Sequence, residues 1–206
     1  MESFTKLTAT ACPIDQLNLN TDQILPARYL KWTRSQGLGT VLFHDLRFDD
    51  QGNERADFPL NKAEWRDAKI IIGERNFGCG SSREAAVYAL YDYGIRCLIA
   101  PSFGDIFAGN AVQNGLLAAT VAENDAAEIA DLLKRTPDAP VTVDLEAQTI
   151  ACGQRTYRFI IDALRRRRLL NGWDDIVLTE SYGEHISDFK AQDKIKRPWA
   201  VPHAPT

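Results

Sequence analysis

A glycine-rich segment directly behind a short apolar run constrains the fold more than any other part of this sequence. The run, residues 68–72, reads AKIII, and β-branched residues at this density indicate a buried strand. The segment that follows, residues 73–86, reads GERNFGCGSSREAA. Its glycines allow positive φ and close approach of other backbone. The sequence therefore predicts a strand, a tight glycine-containing loop and then a new element.

That new element is predicted to be a helix over residues 82–93. Ser81 and Glu84 have the spacing of a capping box, the alanines and leucine that follow are good helix formers, and Gly94 stands just past the end. The first N–H groups of a helix lack partners within it and favour an anionic ligand. Arg83 would add donors suited to a carboxylate. The simpler interpretation is that Ser81 and Glu84 form only a structural cap.

A second strand is predicted over residues 95–100, with Pro101 at its end. A strand, loop, helix and strand in this order predict a right-handed crossover and a parallel pair. Ligands of open α/β sheets bind outside the carboxyl ends of the strands, which is where residues 78–83 and 102–105 fall. We therefore expect these two loops to share one crevice.

The remaining elements follow from periodicity and from helix and turn signals. A first strand is predicted over residues 4–12, further strands over 116–121, 141–145, 149–152 and 155–159, and helices over 103–114, 125–135 and 161–171. A chain of 206 residues can bury one substantial core, so we expect a single domain over 1–206 with a tail from about residue 190.

Composition limits the partners of the chain. Its net charge of -4 argues against nucleic acid as the main partner. No apolar run reaches the ~18 residues that span a bilayer, and residues 1–10 lack the pattern of a signal peptide. We therefore expect a cytoplasmic protein that does not bind a membrane. The arginine run 165–168 is typical of a solvated face, or of a subunit contact with its neighbouring leucines.

Cysteine usage argues against a metal centre in this chain. The four cysteines are Cys12, Cys79, Cys97 and Cys152, and they form no Cys-x-x-Cys pair. Neither a zinc site nor a complete set of cluster ligands is therefore predicted. Of the four, only Cys79 lies within the glycine-rich segment.

Residues 76–84, NFGCGSSRE, resemble the signature of the small swivel domain of the aconitase superfamily, and the chain as a whole resembles the small subunits of 3-isopropylmalate dehydratases. Supporting segments are residues 20–26 (NTDQILP), 100–107 (APSFGDIF), 156–159 (TYRF) and 171–172 (NG). The resemblance extends from about residue 17 to residue 178, with several motifs in the same order. It implies an α/β fold, the three-layer β/β/α swivel domain of the aconitase C-terminal type.

The resemblance also implies the smaller half of a heteromeric hydro-lyase. This enzyme would interconvert 2-isopropylmalate and 3-isopropylmalate through isopropylmaleate, a step in leucine biosynthesis. A separate large subunit would carry a four-iron, four-sulfur cluster, and this chain would hold no cofactor. The iron would act as a Lewis acid on the substrate hydroxyl and carboxylate, while a base in this chain removes a proton from the neighbouring carbon.

The same resemblance implies residue roles. Ser81, the first serine of the Ser-Ser-Arg motif, would be the base, and nearby N–H donors with Arg83 would stabilise its alkoxide in a closed, dry site. The residues expected to bind substrate are Thr21, Asp22, Arg34, Cys79, Gly80, Ser82 and Arg83. Arg34 is preferred to Arg28 and Lys31 because the resemblance places a Thr-Arg before a glycine-containing turn.

Two alternatives stay open. Ala85 stands where the family often has histidine, and the loop 29–32 (YLKW) does not identify a substrate. A related hydratase for citraconate, methylmalate or a dimethylmaleate-type diacid is therefore one alternative. The other is a noncatalytic regulatory or RNA-binding relative, which the acidic net charge and the intact Ser-Arg loop argue against.

Overall fold

The computed structural model describes residues 1–81 and 83–200, and its strands form two sheets. The strands are β1 (Lys6–Ala9), β2 (Ala11–Ile14), β3 (Ile70–Gly73), β4 (Cys97–Ala100), β5 (Leu117–Thr120), β6 (Val141–Asp144), β7 (Thr149–Cys152) and β8 (Arg155–Arg158). The α-helices are α1 (Thr21–Ile24), α2 (His44–Arg47), α3 (Glu84–Tyr93), α4 (Asp105–Gln113), α5 (Glu123–Arg135), α6 (Ala163–Asn171), α7 (Asp175–Glu180) and α8 (Gly183–Lys196). Short 3-10 helices cover Ala27–Tyr29, Arg34–Gln36, Leu38–Val41, Pro59–Asn61 and Pro198–Ala200.

One sheet is parallel, in the order β2-β3-β4-β5, with Ile70 opposite Cys97. All residues of β3 and β4 are buried, as expected for parallel strands covered on both faces. The predicted parallel pair is therefore confirmed. The carboxyl ends of these strands lead into the segments that contain the predicted site residues.

The other sheet is antiparallel, in the order β1-β6-β7-β8. Alternate side chains of the parallel strands point to opposite faces. Ile70 and Ile72 join a core with the antiparallel sheet and α5, whereas Ile71 joins a second core with α3 and α4. The layers are therefore antiparallel sheet, parallel sheet and helices, which confirms the predicted three-layer β/β/α swivel fold.

The single strand predicted over residues 4–12 is wrong. The chain leaves the antiparallel sheet after β1 and enters the parallel sheet at β2, so Thr10 separates strands of different sheets. The residues of β1 alternate between exposed and half-buried, while all four residues of β2 are buried. Residues 4–12 therefore contain two burial patterns, one for each sheet, and not the single strand that the sequence predicts.

The chain divides into two compact units, Met1–Gly172 and Trp173–Thr206. In the second unit, α7 and α8 contain no buried residue, and the predicted start of the tail near residue 190 falls inside α8. Residues 201–206, with His203, lie outside the described residues. In the first unit, Arg166 donates hydrogen bonds to the carbonyls of Leu145 and Glu146. Part of the arginine run therefore binds protein rather than solvent.

Across residues 1–81 and 83–200, no helix combines the length and the apolar character needed to cross a bilayer.

Candidate active site

The glycine loop, which we define as residues 75–81 and 83, continues the pairing of the parallel sheet beyond the end of β3. The N–H of Gly78 donates to the carbonyl of Leu19 at 2.7 Å, and the N–H of Thr21 donates to the carbonyl of Cys79 at 3.0 Å. These bonds hold the glycine loop against the start of α1. Two stretches that the sequence predicts at one site are therefore brought together.

The loop that follows β4 lies on the other side of the glycine loop. The N–H of Phe77 donates to the carbonyl of Ser102 at 3.0 Å, and the N–H of Gly104 donates to the carbonyl of Phe77 at 2.9 Å. A Cβ at Gly104 would lie only 2.5 Å from the carbonyl oxygen of Gly78. The two loops that are predicted to share one crevice are therefore neighbours, and their backbones are in direct contact at this point.

Gly78 and Gly80 are required by the geometry of the loop. Their φ angles are +71° and +87°, in the region that favours glycine. A Cβ at Gly78 would also lie 2.3 Å from the ring of Phe107 on α4. The predicted need for glycine at both positions is confirmed.

The start of α3 differs from the prediction. The helix begins at Glu84, its N-cap residue is Arg83, and the Arg83 side chain makes no capping hydrogen bond. The Ser81/Glu84 capping box is therefore wrong. The Glu84 carboxylate instead accepts a hydrogen bond from the side-chain amide of Asn114 at 3.1 Å. First-turn N–H groups without a side-chain cap can serve an anionic ligand.

Ser81 is exposed. A hydrogen bond holds its backbone carbonyl, whereas its side-chain hydroxyl is not held by a hydrogen bond to the described residues. Its carbonyl accepts a 2.6 Å hydrogen bond from the hydroxyl of Thr21. Among residues 1–81 and 83–200, no hydrogen-bond partner of the Ser81 hydroxyl is found. Ser82 lies outside the described residues, so its role in substrate binding stays a prediction.

Arg83 is paired within the chain. Its guanidinium donates to the carboxylate of Asp22, which lies on α1. The Arg83 side chain is 18% exposed and that of Asp22 is 53% exposed. An ion pair therefore joins the N-terminus of α3 to the segment that holds the glycine loop.

Cys79 is partly buried in the same loop, and its thiol lies 3.3 Å from the carbonyl oxygen of Asn18. The side chain of Asn18 also accepts a hydrogen bond from that of Asn76 at 2.9 Å. Sequence reasoning did not single out either asparagine. Both have positive φ, at 54° and 64°. Asparagine tolerates this conformation, so an asparagine in a polar turn is the sequence feature that could have indicated them.

Arg34 lies away from this loop. Its guanidinium pairs with Asp92, near the C-terminal end of α3, and lies over the rings of Tyr88 and Tyr91. The hydrogen bond to Asp92 raises the pKa of Arg34. Because a helix rises ~1.5 Å per residue, Asp92 is about 12 Å along the axis from Glu84. The structure does not bring Arg34 together with Ser81 and Arg83.

Two other cations, Arg28 and Lys31, lie in the same stretch of the chain as Arg34. Arg28 pairs with Asp45 and contacts His44, so its charge is already balanced within the chain. Within residues 1–81 and 83–200, no hydrogen bond or ion pair of the Lys31 side chain is found. We therefore do not assign Arg28, Lys31 or Arg34 to the substrate site.

The described residues do not fit an iron–sulfur cluster. Cys12, Cys97 and Cys152 are buried, and burial raises the pKa of each thiol. Within 1–81 and 83–200, no group of three or more His, Cys, Asp or Glu side chains could hold a metal ion. No step of the chemistry is therefore assigned to a cluster bound by this part of the chain.

Comparisons with known proteins agree with this fold. The family model of the aconitase C-terminal domain matches residues 1–124, and a second model, LeuD_N, matches residues 127–163. A solved structure of 3-isopropylmalate dehydratase from Methanocaldococcus jannaschii has a TM-score of 0.63 and 24% identity, covering 89% of this chain and 98% of that one. At this identity, the likeness shows the fold.

Curated relatives are more similar in sequence. The 3-isopropylmalate dehydratase small subunit of Rhodospirillum centenum is 49% identical over 98% of this chain and 100% of its own length. That of Dinoroseobacter shibae is 48% identical over 97% of this chain and 100% of its own. The chain therefore belongs to the aconitase C-terminal domain family and, within it, to the small subunits of 3-isopropylmalate dehydratase.

Proposed function

We propose that this chain is the small subunit of a two-chain hydro-lyase that interconverts 2-isopropylmalate and 3-isopropylmalate through isopropylmaleate, in leucine biosynthesis. The names of the curated relatives support this proposal. The observation that carries the chemistry is the exposed Ser81 hydroxyl, which lies in the loop that leads to Arg83 and to the uncapped start of α3. A proton-transfer group and donors for an anion meet there.

The substrate is a dicarboxylate, and the glycine loop supplies donors for one of its carboxylates. Arg83 contributes a guanidinium. The carbonyl of Cys79 points toward the N–H of Thr21, and a planar trans peptide directs the next N–H, that of Gly80, the opposite way. Among residues 1–81 and 83–200, the Gly80 N–H has no hydrogen-bond acceptor. It is therefore available to an anion, together with the N–H groups of Glu84 and Ala85 at the start of α3.

Ser81 is the proposed base that takes the proton from the carbon next to the leaving hydroxyl. A serine alkoxide needs donors and a site without bulk water. In this chain Ser81 is exposed, so the large subunit must cover the loop to exclude water. This requirement explains why we expect the chain alone to be inactive.

We place the four-iron, four-sulfur cluster in the large subunit, where its open iron would supply a Lewis acid to the substrate hydroxyl. The part of this chain is to hold a carboxylate and to move a proton. Thr21 and Arg34 are not retained as substrate contacts, since Thr21 is fully buried and Arg34 is paired with Asp92. The cytoplasmic location expected from the sequence stays a prediction.

The test combines the purified chain with the large subunit from the same organism, after anaerobic reconstitution of the cluster. We expect turnover of isopropylmalate only with both chains, and a higher kcat/KM for isopropylmalate than for citraconate, methylmalate or dimethylmaleate. A higher kcat/KM for one of those diacids would favour the alternative hydratase. Iron–sulfur absorbance from the isolated chain would overturn the division of labour between the subunits.

A further inference from the structure

We propose that Thr21 is a positioning residue, which fixes the backbone of Ser81 for proton transfer and does not contact substrate. This inference rests on the proposed role of Ser81. It gives Thr21 a function different from the substrate contact that the family resemblance implies.

Both hydrogen-bond donors of Thr21 are used on the glycine loop. Its N–H donates to the carbonyl of Cys79 at 3.0 Å, and its hydroxyl donates to the carbonyl of Ser81 at 2.6 Å. These carbonyls lie on either side of Gly80, the residue of the loop with φ of +87°. Because glycine is the least restricted residue of a backbone, the two bonds hold the chain where it is most free to rotate.

Thr21 is itself held firmly. It is fully buried, and its carbonyl accepts a 2.9 Å hydrogen bond from the N–H of Leu25. The preceding residue, Asn20, forms a capping box with Gln23, with bonds of 2.9 Å and 3.0 Å. Burial keeps substrate away from the Thr21 hydroxyl, and the capping box keeps α1 in place. A fixed donor therefore faces the loop.

Loss of the hydroxyl would release the Ser81 carbonyl and let the chain rotate about Gly80. The proton acceptor of a general base must lie within hydrogen-bond reach of the proton it removes. A displacement of ~1 Å from such geometry costs about 10²-fold in rate. Valine has nearly the shape of threonine without the donor, whereas serine keeps the donor. The pair separates the hydrogen bond from packing.

The experiment compares Thr21→Val and Thr21→Ser in the complex with the large subunit. Thr40→Val is the matched control, because Thr40 donates a similar 2.7 Å bond from its hydroxyl to the carbonyl of Gly37, outside the site. We expect Thr21→Val to lower kcat about 10- to 100-fold with KM changed less than about threefold. We expect Thr21→Ser and Thr40→Val to keep kcat within about threefold of wild type.

Hydrogen exchange of the isolated chain provides a second readout that needs no activity. The hydrogen-bonded amides of Gly78 and Ala86 should exchange faster in Thr21→Val than in wild type or Thr21→Ser. If valine prevents folding, Thr21→Ala replaces it with the same expectations, since alanine cannot overpack the site.

Wild-type kcat in Thr21→Val, unchanged exchange of its loop, or a loss of kcat that Thr21→Ser fails to restore would each overturn the role of Thr21. If the wild-type complex does not turn over isopropylmalate, the proposed function fails instead. In that case the exchange data still decide whether Thr21 holds the loop.

Discussion

Arg83 donates a hydrogen bond to Asp22, whose position is 61 residues earlier in the chain. The bond uses Nη1 of the guanidinium, and no bond from Nε or Nη2 to residues 1–81 or 83–200 is found. In the proposed site, Asp22 would hold Arg83 in place and leave the rest of the fork available to a carboxylate. We therefore predict different roles for the two residues: Arg83 would contact substrate, and Asp22 would orient Arg83.

Replacing Asp22 by asparagine should raise KM for isopropylmalate about three- to tenfold, because Arg83 loses the charge that orients it. The free energy of unfolding should fall by less than about 1 kcal/mol, since the Asp22 side chain is half exposed. Kinetics and chemical denaturation of the same protein test this expectation. A clear loss of stability with an unchanged KM would mean that the pair is only structural.

Replacing Arg83 by lysine should lower kcat/KM about 10- to 100-fold although the charge is kept. A lysine offers a point charge where a planar fork can make two parallel hydrogen bonds, and charge-assisted bonds are worth roughly 1.5–3 kcal/mol each. The measurement is steady-state kinetics of the assembled complex, with the melting temperature beside it. Near-normal kcat/KM with a lowered melting temperature would remove Arg83 from the substrate site.

Much of this architecture could be predicted because local patterns and tertiary structure agree. The apolar runs predicted as strands form β3 and β4, which are buried on both faces. Gly78 and Gly80, where positive φ is expected, have positive φ. The partners of charged side chains could not be predicted. Nothing in the sequence near Arg34 indicates Asp92, which is brought to it by the packing of α3.

The helix start shows a second limit. Ser81 and Glu84 match a capping box in spacing, but the Ser81 carbonyl is held by Thr21, and α3 begins only at Glu84. A tertiary hydrogen bond therefore overrides the local motif. The direct contact of Gly104 with Gly78 is similarly invisible in sequence, because it depends on how two loops meet.

That contact predicts an effect of Gly104→Ala. The new Cβ would lie 2.5 Å from a backbone oxygen, which no side-chain rotation relieves. We expect a loss of about 1–3 kcal/mol in the free energy of unfolding. Gly109→Ala, inside the helix α4 that Gly104 precedes, is the control, since nothing lies within 4 Å of its Cβ. It should stabilise the protein by up to ~1 kcal/mol. Equal stability of the two variants would contradict the close packing of the loops.

Cysteine reactivity offers a test of the loop that is independent of turnover. Thiolates react with iodoacetamide, and burial raises the pKa of Cys12, Cys97 and Cys152, so their thiols stay protonated. Of the four cysteines, only Cys79 is partly exposed. At neutral pH we expect one alkylated cysteine in the folded chain, identified as Cys79 by mass spectrometry, and all of them after denaturation. Fast labelling of Cys12 or Cys97 in the folded chain would contradict the buried cores.

The most direct test of the central claim is turnover by Ser81→Ala in the reconstituted complex. Removing a general base lowers the rate about 10²- to 10⁴-fold. Stability and assembly should stay close to wild type, because the Ser81 side chain is exposed and makes no hydrogen bond to residues 1–81 or 83–200. Ser35→Ala, at an exposed serine outside the loop, should keep wild-type kcat. We predict a kcat for Ser81→Ala at least about 100-fold below that of Ser35→Ala in equally assembled complexes, and a kcat within about tenfold would contradict the assignment of Ser81 as the base.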